Sequence, residues 1–199
     1  MYSKVGRVIG ASGVVPLRSG TEAGLVLDSH GKYYEAVKSG RCFMAANQAA
    51  VAVTAAMATT YTGLVLSNPG TSGKDVVLLQ FGWGLSVVLP TALTIFGIMV
   101  GLNAGDAAAA ITPKNCYAGG AASGMVVDNG CTLTGTPVLY SVYGNAAKGA
   151  DTVTVLDGVT NVDLEGSIIV PPGYYAAVYS FAANTAAAIF SFMWEELPV

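Results

Sequence analysis

Pro171-Pro172-Gly173 followed by Tyr174-Tyr175-Ala176-Ala177-Val178-Tyr179-Ser180-Phe181 reads as a tight turn and then a short apolar strand. Proline fixes its own φ and cannot donate to a ladder, and glycine frees the next, so the first three residues end one element and start another. The run after them has the aromatic and small composition of a buried strand, and both of its faces are apolar. Tyr175, Tyr179 and Phe181 fall on one side, Tyr174, Ala176 and Val178 on the other.

The same punctuation continues outward in both directions. Apolar runs of five to ten residues are separated at Asn68-Pro69-Gly70, Leu89-Pro90-Thr91, Asn103 to Asp106, Asn129-Gly130, Gly144-Asn145 and Asp157-Gly158. Asn-Gly and Asp-Gly supply the positive φ angles that hairpins require. Strands are expected over 62–67, 75–88, 92–101, 124–128, 131–134, 137–143, 152–156, 162–169, 174–182 and 186–196. Many short strands with regular turns indicate an all-β sandwich or barrel. Ala45 to Thr60 is open to two readings. Its alanines favour helix, whereas Val51, Val53 and Thr54 fit a strand, and strand is the reading taken. Ala107 to Ala110 is expected to form one helical turn in a long loop. Residues 1–40 alternate glycine, serine and single charges without periodicity and read as an extended arm ahead of a domain over 41–199.

Composition limits what such a domain can do. Only 11% of the 199 residues are charged, against roughly 25% in an average soluble domain. The apolar fraction is 53%, with 25 glycines. Either a membrane or other protein must cover much of this surface. Cys42–Gly73 and Val76–Gly105 carry no charge, but both are broken by Gly, Pro or Asn and lack flanking Lys/Arg blocks, so no membrane span is expected. Met1–Gly20 has no continuous apolar segment of the signal-peptide kind.

Strand faces make the same point. An ordinary antiparallel sandwich alternates apolar and polar because one face meets water. Here Phe96, Ile98 and Val100 oppose Leu93, Ile95 and Met99, and Phe190, Phe192 and Trp194 oppose Ile189, Ser191 and Met193. Dry outer faces are most simply explained by a subunit interface. Phe96, Tyr174, Tyr175, Tyr179 and Met193 are its expected residues, and a homo-oligomer is the expected state.

Charge is uneven. Residues 1–41 hold six basic residues against three acidic, and the rest hold three against nine. Lys4, Arg7 and Arg18 fit either an arm that docks on an acidic partner, the reading taken, or an ordinary solvated leader. They are too sparse for a nucleic-acid footprint, and none is expected.

Chemistry is hard to find. Gly70-Thr71-Ser72-Gly73-Lys74 lacks the first glycine and the final Ser/Thr of a phosphate loop and reads as a turn. His30 is the only histidine, and no nucleophile elbow accompanies it. Cys42, Cys116 and Cys131 have neither zinc spacing nor an even count. A Cys116–Cys131 pair is one option and free thiols the default. Asp151, Asp157, Asp163 and Glu165 form an acidic cluster without calcium-loop spacing, and read as a guarded sheet edge. No catalytic residue, metal or cofactor is expected. Ten tyrosines leave open a sugar-binding platform.

Gly40-Arg41-Cys42-Phe43-Met44-Ala45-Ala46-Asn47-Gln48-Ala49 and Tyr61-Thr62-Gly63-Leu64-Val65-Leu66-Ser67-Asn68-Pro69 resemble β-sandwich virion proteins of tailed bacteriophages. So do Val170-Pro171-Pro172-Gly173-Tyr174-Tyr175 and Phe192-Met193-Trp194-Glu195-Glu196. The resemblance covers roughly residues 40–199 and consists of turns and core strands. It implies a jelly-roll-like subunit, often trimeric, that is made in the host cytoplasm and decorates the capsid surface. The implied partner is the major capsid protein or another virion protein; the N-terminal arm is unmatched, and on its charge Lys4, Arg7 and Arg18 are expected to reach the shell. A head-fibre, neck or tail component and a carbohydrate-binding adhesin are the alternatives.

Overall fold

A computed structural model describes residues 6–10, 13–17, 31–53, 60–85, 94–102, 107, 110–133, 136–146, 160–181 and 183–199. The chain divides into two compact units, Met1–Glu35 and Ala36–Val199. In the first, β1 (Gly6–Gly10) and β2 (Gly13–Leu17) form an antiparallel hairpin with Arg7 opposite Pro16. The sequence reading gave this stretch only extended arm, because two five-residue strands are too short for a periodicity to show.

A single helical turn, α1 (Tyr34–Lys38), precedes the sandwich. Gly40 ends it in the left-handed region at φ 73°. The Arg41 N–H donates to the Ala36 carbonyl at 3.1 Å and the Gly40 N–H to Val37 at 2.9 Å. These two bonds are the Schellman arrangement, which satisfies carbonyls that the helix end would otherwise orphan. The chain is thereby turned straight into β3 (Cys42–Ala46).

Eight main strands follow a nested scheme. They are β3, β5 (Thr60–Ser67), β6 (Lys74–Leu85), β7 (Thr94–Leu102), β10 (Val138–Ala146), β11 (Thr160–Val170), β12 (Tyr174–Ser180) and β13 (Asn184–Pro198). β3 pairs with β13, β5 with β12, β6 with β11, and β7 with β10, all antiparallel. First meets last, second meets second-last, and so inward. That is a long hairpin rolled into two sheets, the jelly-roll connection. Sheet I runs β10-β7-β12-β5-β9 and sheet II runs β11-β6-β13-β3-β8, with the short β4 (Val51–Val53) also on β13. β8 (Lys114–Asn115) and β9 (Val126–Thr132) both come from the connection between β7 and β10. One widens each sheet.

Between the sheets lies an aromatic core. Phe96 of sheet I packs on Trp83 and Phe190 of sheet II, with ring centroids 4.9 and 5.3 Å apart. Phe81 lies 5.6 Å from Phe192, and Trp194 stacks on Phe43 at 6.2 Å. All are buried, each contributing about 2–3 kcal/mol of transfer free energy. Gly144 makes room for this packing. A Cβ there would sit 2.7 Å from the Trp83 ring.

Two expected turns are strand instead. Asn129-Gly130 lies inside β9 and Gly144-Asn145 inside β10. Both strands carry ladder irregularities there, one facing Gly63 at φ 141°. Turn-like residues within a strand commonly mark a bulge, which here takes the place of a reversal. Within Ala45–Thr60, β3 and β4 are strand, and residues 54–59 fall outside the described set. So do the expected strand over 152–156 and the turns at 89–91, 103–106 and 157–158. Ala107 and Ala110 are not helical, and the two residues between them are also outside it.

Candidate assembly surface

The ladder register places residues in rows across the outer face of sheet II. Gln80, Met193, Met44 and Lys114 form one row. Gly82, Ser191 and Ala46 form the next, and Gly84 with Ile189 the one beyond. The middle row is built of small residues, so the face dips between Met44 and Ile189. A Cβ on Gly82 would meet the Ser191 hydroxyl at 2.5 Å, which keeps that row low. The dip continues into a 490 Å³ depression bounded by Met44, Gln48, Ile111, Thr112 and Lys114. Met44 is 46% exposed, Ile189 42% and, further along the face, Ile169 52%. Three large apolar side chains thus stand in solvent on this face, with exposed Asp163 and Lys114 at the two ends of the first row.

A second apolar strip lies on the β10 edge of sheet I. Val138, Tyr140 and Val142 alternate along it and are exposed, and no charged residue occurs between Asp128 and Lys148. The β11 edge of sheet II differs. It carries exposed Asp163 and Glu165 at a bulge where Glu165 takes φ 53° and its N–H donates to Asp163 Oδ1 at 3.1 Å. Charge and a bulge both discourage edge-to-edge pairing.

The residues expected at a subunit interface are placed in four different environments. Tyr174 is exposed at the end of β12, and Met193 is half-buried in the row with Met44. Tyr175 and Tyr179 point away from sheet II, yet are buried within this one chain. Phe96 is wholly inside the inter-sheet core, where it has no surface to offer a partner. Arg7 lies on β1, and Lys4 and Arg18 fall outside the described residues, as do His30, Asp151 and Asp157.

Polar groups near the C-terminal strand are paired. Glu196 is buried, receives the Lys74 ammonium at 2.7 Å and accepts from the Ser123 hydroxyl at 2.5 Å. Lys74, the last residue of the phosphate-loop-like segment, is therefore a structural counter-ion following a turn. Arg41 pairs with Glu195 at 2.9 Å. Two buried asparagines were not found by sequence reasoning. Asn68 donates to the Lys74 and Val170 carbonyls at 2.7 and 2.9 Å, tying the β5–β6 turn to the end of β11. Asn47 donates to Ala49 and Ala188 and accepts from the Phe190 N–H. Their position beside turns was the available signal, but turn asparagines are usually solvated.

The thiols are not placed as a Cys116–Cys131 pair would need. Cys131 lies on β9 opposite Tyr61, whereas Cys116 lies beside Cys42 on sheet II. Burial pushes both the Cys42 and Cys116 thiols up, and the Cys116 thiol and Glu195 push Cys42 further. Tyr61, which donates to the Val178 carbonyl at 2.5 Å, is also pushed up by burial.

No family model matches this chain, and no characterised protein matches its sequence. Among the described residues there is no group of three or more potential metal ligands, and no helix is long and apolar enough to cross a membrane.

Proposed function

We propose that this chain is a virion structural subunit that decorates or cements a capsid by packing against copies of itself and against the shell. The observation that carries the reading is the exposed apolar outer face of sheet II, with Met44, Ile189 and Ile169 in solvent on a jelly-roll framework of low charge. Apolar area of this kind is stabilised by contact with another protein surface. Contacts made only in the assembled particle stabilise that particle by mass action.

The arm residues Lys4, Arg7 and Arg18 are assigned to the shell contact on charge alone. Docking through them weakens with added salt, whereas packing of the sheet II face does not. Light scattering on a sizing column across a range of concentrations tests the self-association. A trimer or larger species is expected, and a monomer at every concentration overturns it. Binding of the chain to undecorated particles, with and without residues 1–20, tests the arm. Unchanged binding after truncation removes the arm from the proposal.

A second reading is a carbohydrate-binding adhesin, favoured by exposed Tyr34, Tyr117, Tyr140 and Tyr174. Tyrosine rings in solvent suit the apolar faces of sugars. Glycan binding lost on Tyr140→Ala or Tyr117→Ala would favour this reading over the first.

A further inference from the structure

The pairing of β3 with β8 sets Phe43 opposite Asn115 and Met44 opposite Lys114. One step further along the same register, Cys42 faces Cys116. The Cys116 N–H donates to the Cys42 carbonyl at 2.9 Å, so the two are held as an antiparallel pair across the ladder. Directly opposed residues of such a pair have Cα atoms about 5.5 Å apart, inside the range that a disulfide spans. The two thiols are also near enough for each to shift the titration of the other. Cys42 is fully buried and Cys116 half-buried, so only the second is open to a reagent from solvent.

We propose that Cys42 and Cys116 are a redox latch, closed by exchange with a small-molecule disulfide and opened by a thiol reductant. Cys116 loses its proton to solvent, and its thiolate attacks one sulfur of the oxidant RSSR. The first RS⁻ leaves, giving a mixed disulfide on Cys116. The Cys42 thiolate then attacks the Cys116 sulfur and expels the second RS⁻. Two protein thiols and one RSSR become one protein disulfide and two RSH. The two protein sulfurs are oxidised and the reagent is reduced, and the protons lost by the protein are taken up by the leaving thiolates. Because both thiols are held neutral by burial, closure is slow at neutral pH and quickens as pH rises.

The latch acts on a weakly held element. β8 is two residues long and is the outermost strand of its sheet. Among the described residues, the neighbouring segment is fastened by a few side-chain bonds, such as Asn115 Nδ2 to the Gly40 carbonyl at 2.8 Å and to Ala121 at 3.0 Å. A bond from Cys42 to Cys116 closes a loop of about 75 residues and fixes β8 to β3 covalently. Cys131 serves as the internal control, since it lies on the other sheet.

The test uses the full chain at a temperature well below unfolding, incubated in graded ratios of oxidised to reduced glutathione. Free thiols are then alkylated, and the linkages are read by peptide mass spectrometry. A Cys42–Cys116 cross-link as the main oxidised species, with Cys131 alkylated, is the expected result. The melting temperature should rise by about 10 °C in the same sample. C131S should behave as the parent protein, and C116S, altered at the less buried position, should show neither cross-link nor rise. Accumulation of glutathione on Cys116 without loss of the Cys42 thiol overturns the proposal. So does a cross-link to Cys131, or a Cys42–Cys116 bond that leaves the melting temperature unchanged or lowers it.

Discussion

The outer faces of sheet I and sheet II are both apolar in sequence, but the folded chain treats them differently. On sheet I, Met99, Ala177, Tyr175 and Tyr179 face away from the core and are nonetheless buried. Gly101 helps to make this possible. The Tyr175 ring lies over it, where a Cβ would come within 2.4 Å of the tyrosine hydroxyl. On sheet II, Met44, Ile189 and Ile169 stay in solvent, and the small residues between them leave a depression instead of being capped by an aromatic ring. Apolar residues on an outer face therefore do not by themselves imply a partner. The partner is implied only where the chain has not already covered them.

The largest effect expected from that contrast is on sheet I. Tyr175→Ala removes a fully buried ring and leaves a cavity, and should cost about 3–5 kcal/mol in urea unfolding. A loss under about 1 kcal/mol would mean that this face is not closed.

Alkaline pH should come next. Cys42, Cys116 and Tyr61 are all held neutral by burial, so their folded-state values lie above the unfolded ones. The stability they contribute is complete below the unfolded value, about 8.5 for the two thiols and about 10 for the tyrosine, and is lost progressively as pH rises from there toward the raised folded value. Denaturation midpoints should fall above those values, by up to about 1.4 kcal/mol per pH unit for each group kept neutral. Cys42→Ser should flatten the curve. A midpoint that is level to pH 10 would contradict the burial of the two thiols.

Sheet II should respond in association and hardly in stability. Met44→Asp combined with Ile189→Asp should leave the melting temperature within a few degrees, because both residues are already exposed. The same pair should weaken self-association or particle binding at least tenfold by light scattering or co-sedimentation, since charge at an apolar interface must be desolvated. Unaltered association would move the contact elsewhere. The smallest effect belongs to the β10 edge. Tyr140→Lys should alter stability by no more than about 0.5 kcal/mol, while slowing aggregation on storage, as judged by turbidity.

Much of the fold could be read from punctuation. Pro171-Pro172-Gly173 and Asn68-Pro69-Gly70 are turns, and the runs between such signals are β5, β6, β7, β10, β11, β12 and β13 to within a few residues. Asn129-Gly130 and Gly144-Asn145 misled because the same residues serve bulges, and only the neighbouring strand decides between bending and reversing. The α1 turn was hidden because five residues carry too little periodicity, although Gly40 marked its end. Less of the surface could be read. Phe96 and Ile95 are both apolar neighbours, and a strand with two apolar faces does not say which points to the other sheet. The contact of Cys42 with Cys116 was beyond reach for a different reason, since it depends on a two-residue strand arriving from a distant loop.

The nested pairing also sets an order of events during synthesis. β13 lies between β6 and β3, and both are made before it. Until β13 emerges, sheet II has a gap at its centre, and two strands display unpaired amides and carbonyls to solvent. Sequence-distant pairings of this kind are slow to form. The growing chain is therefore sticky for most of its time on the ribosome, and its yield in a cell should depend more on chaperone supply than on the strength of the finished core.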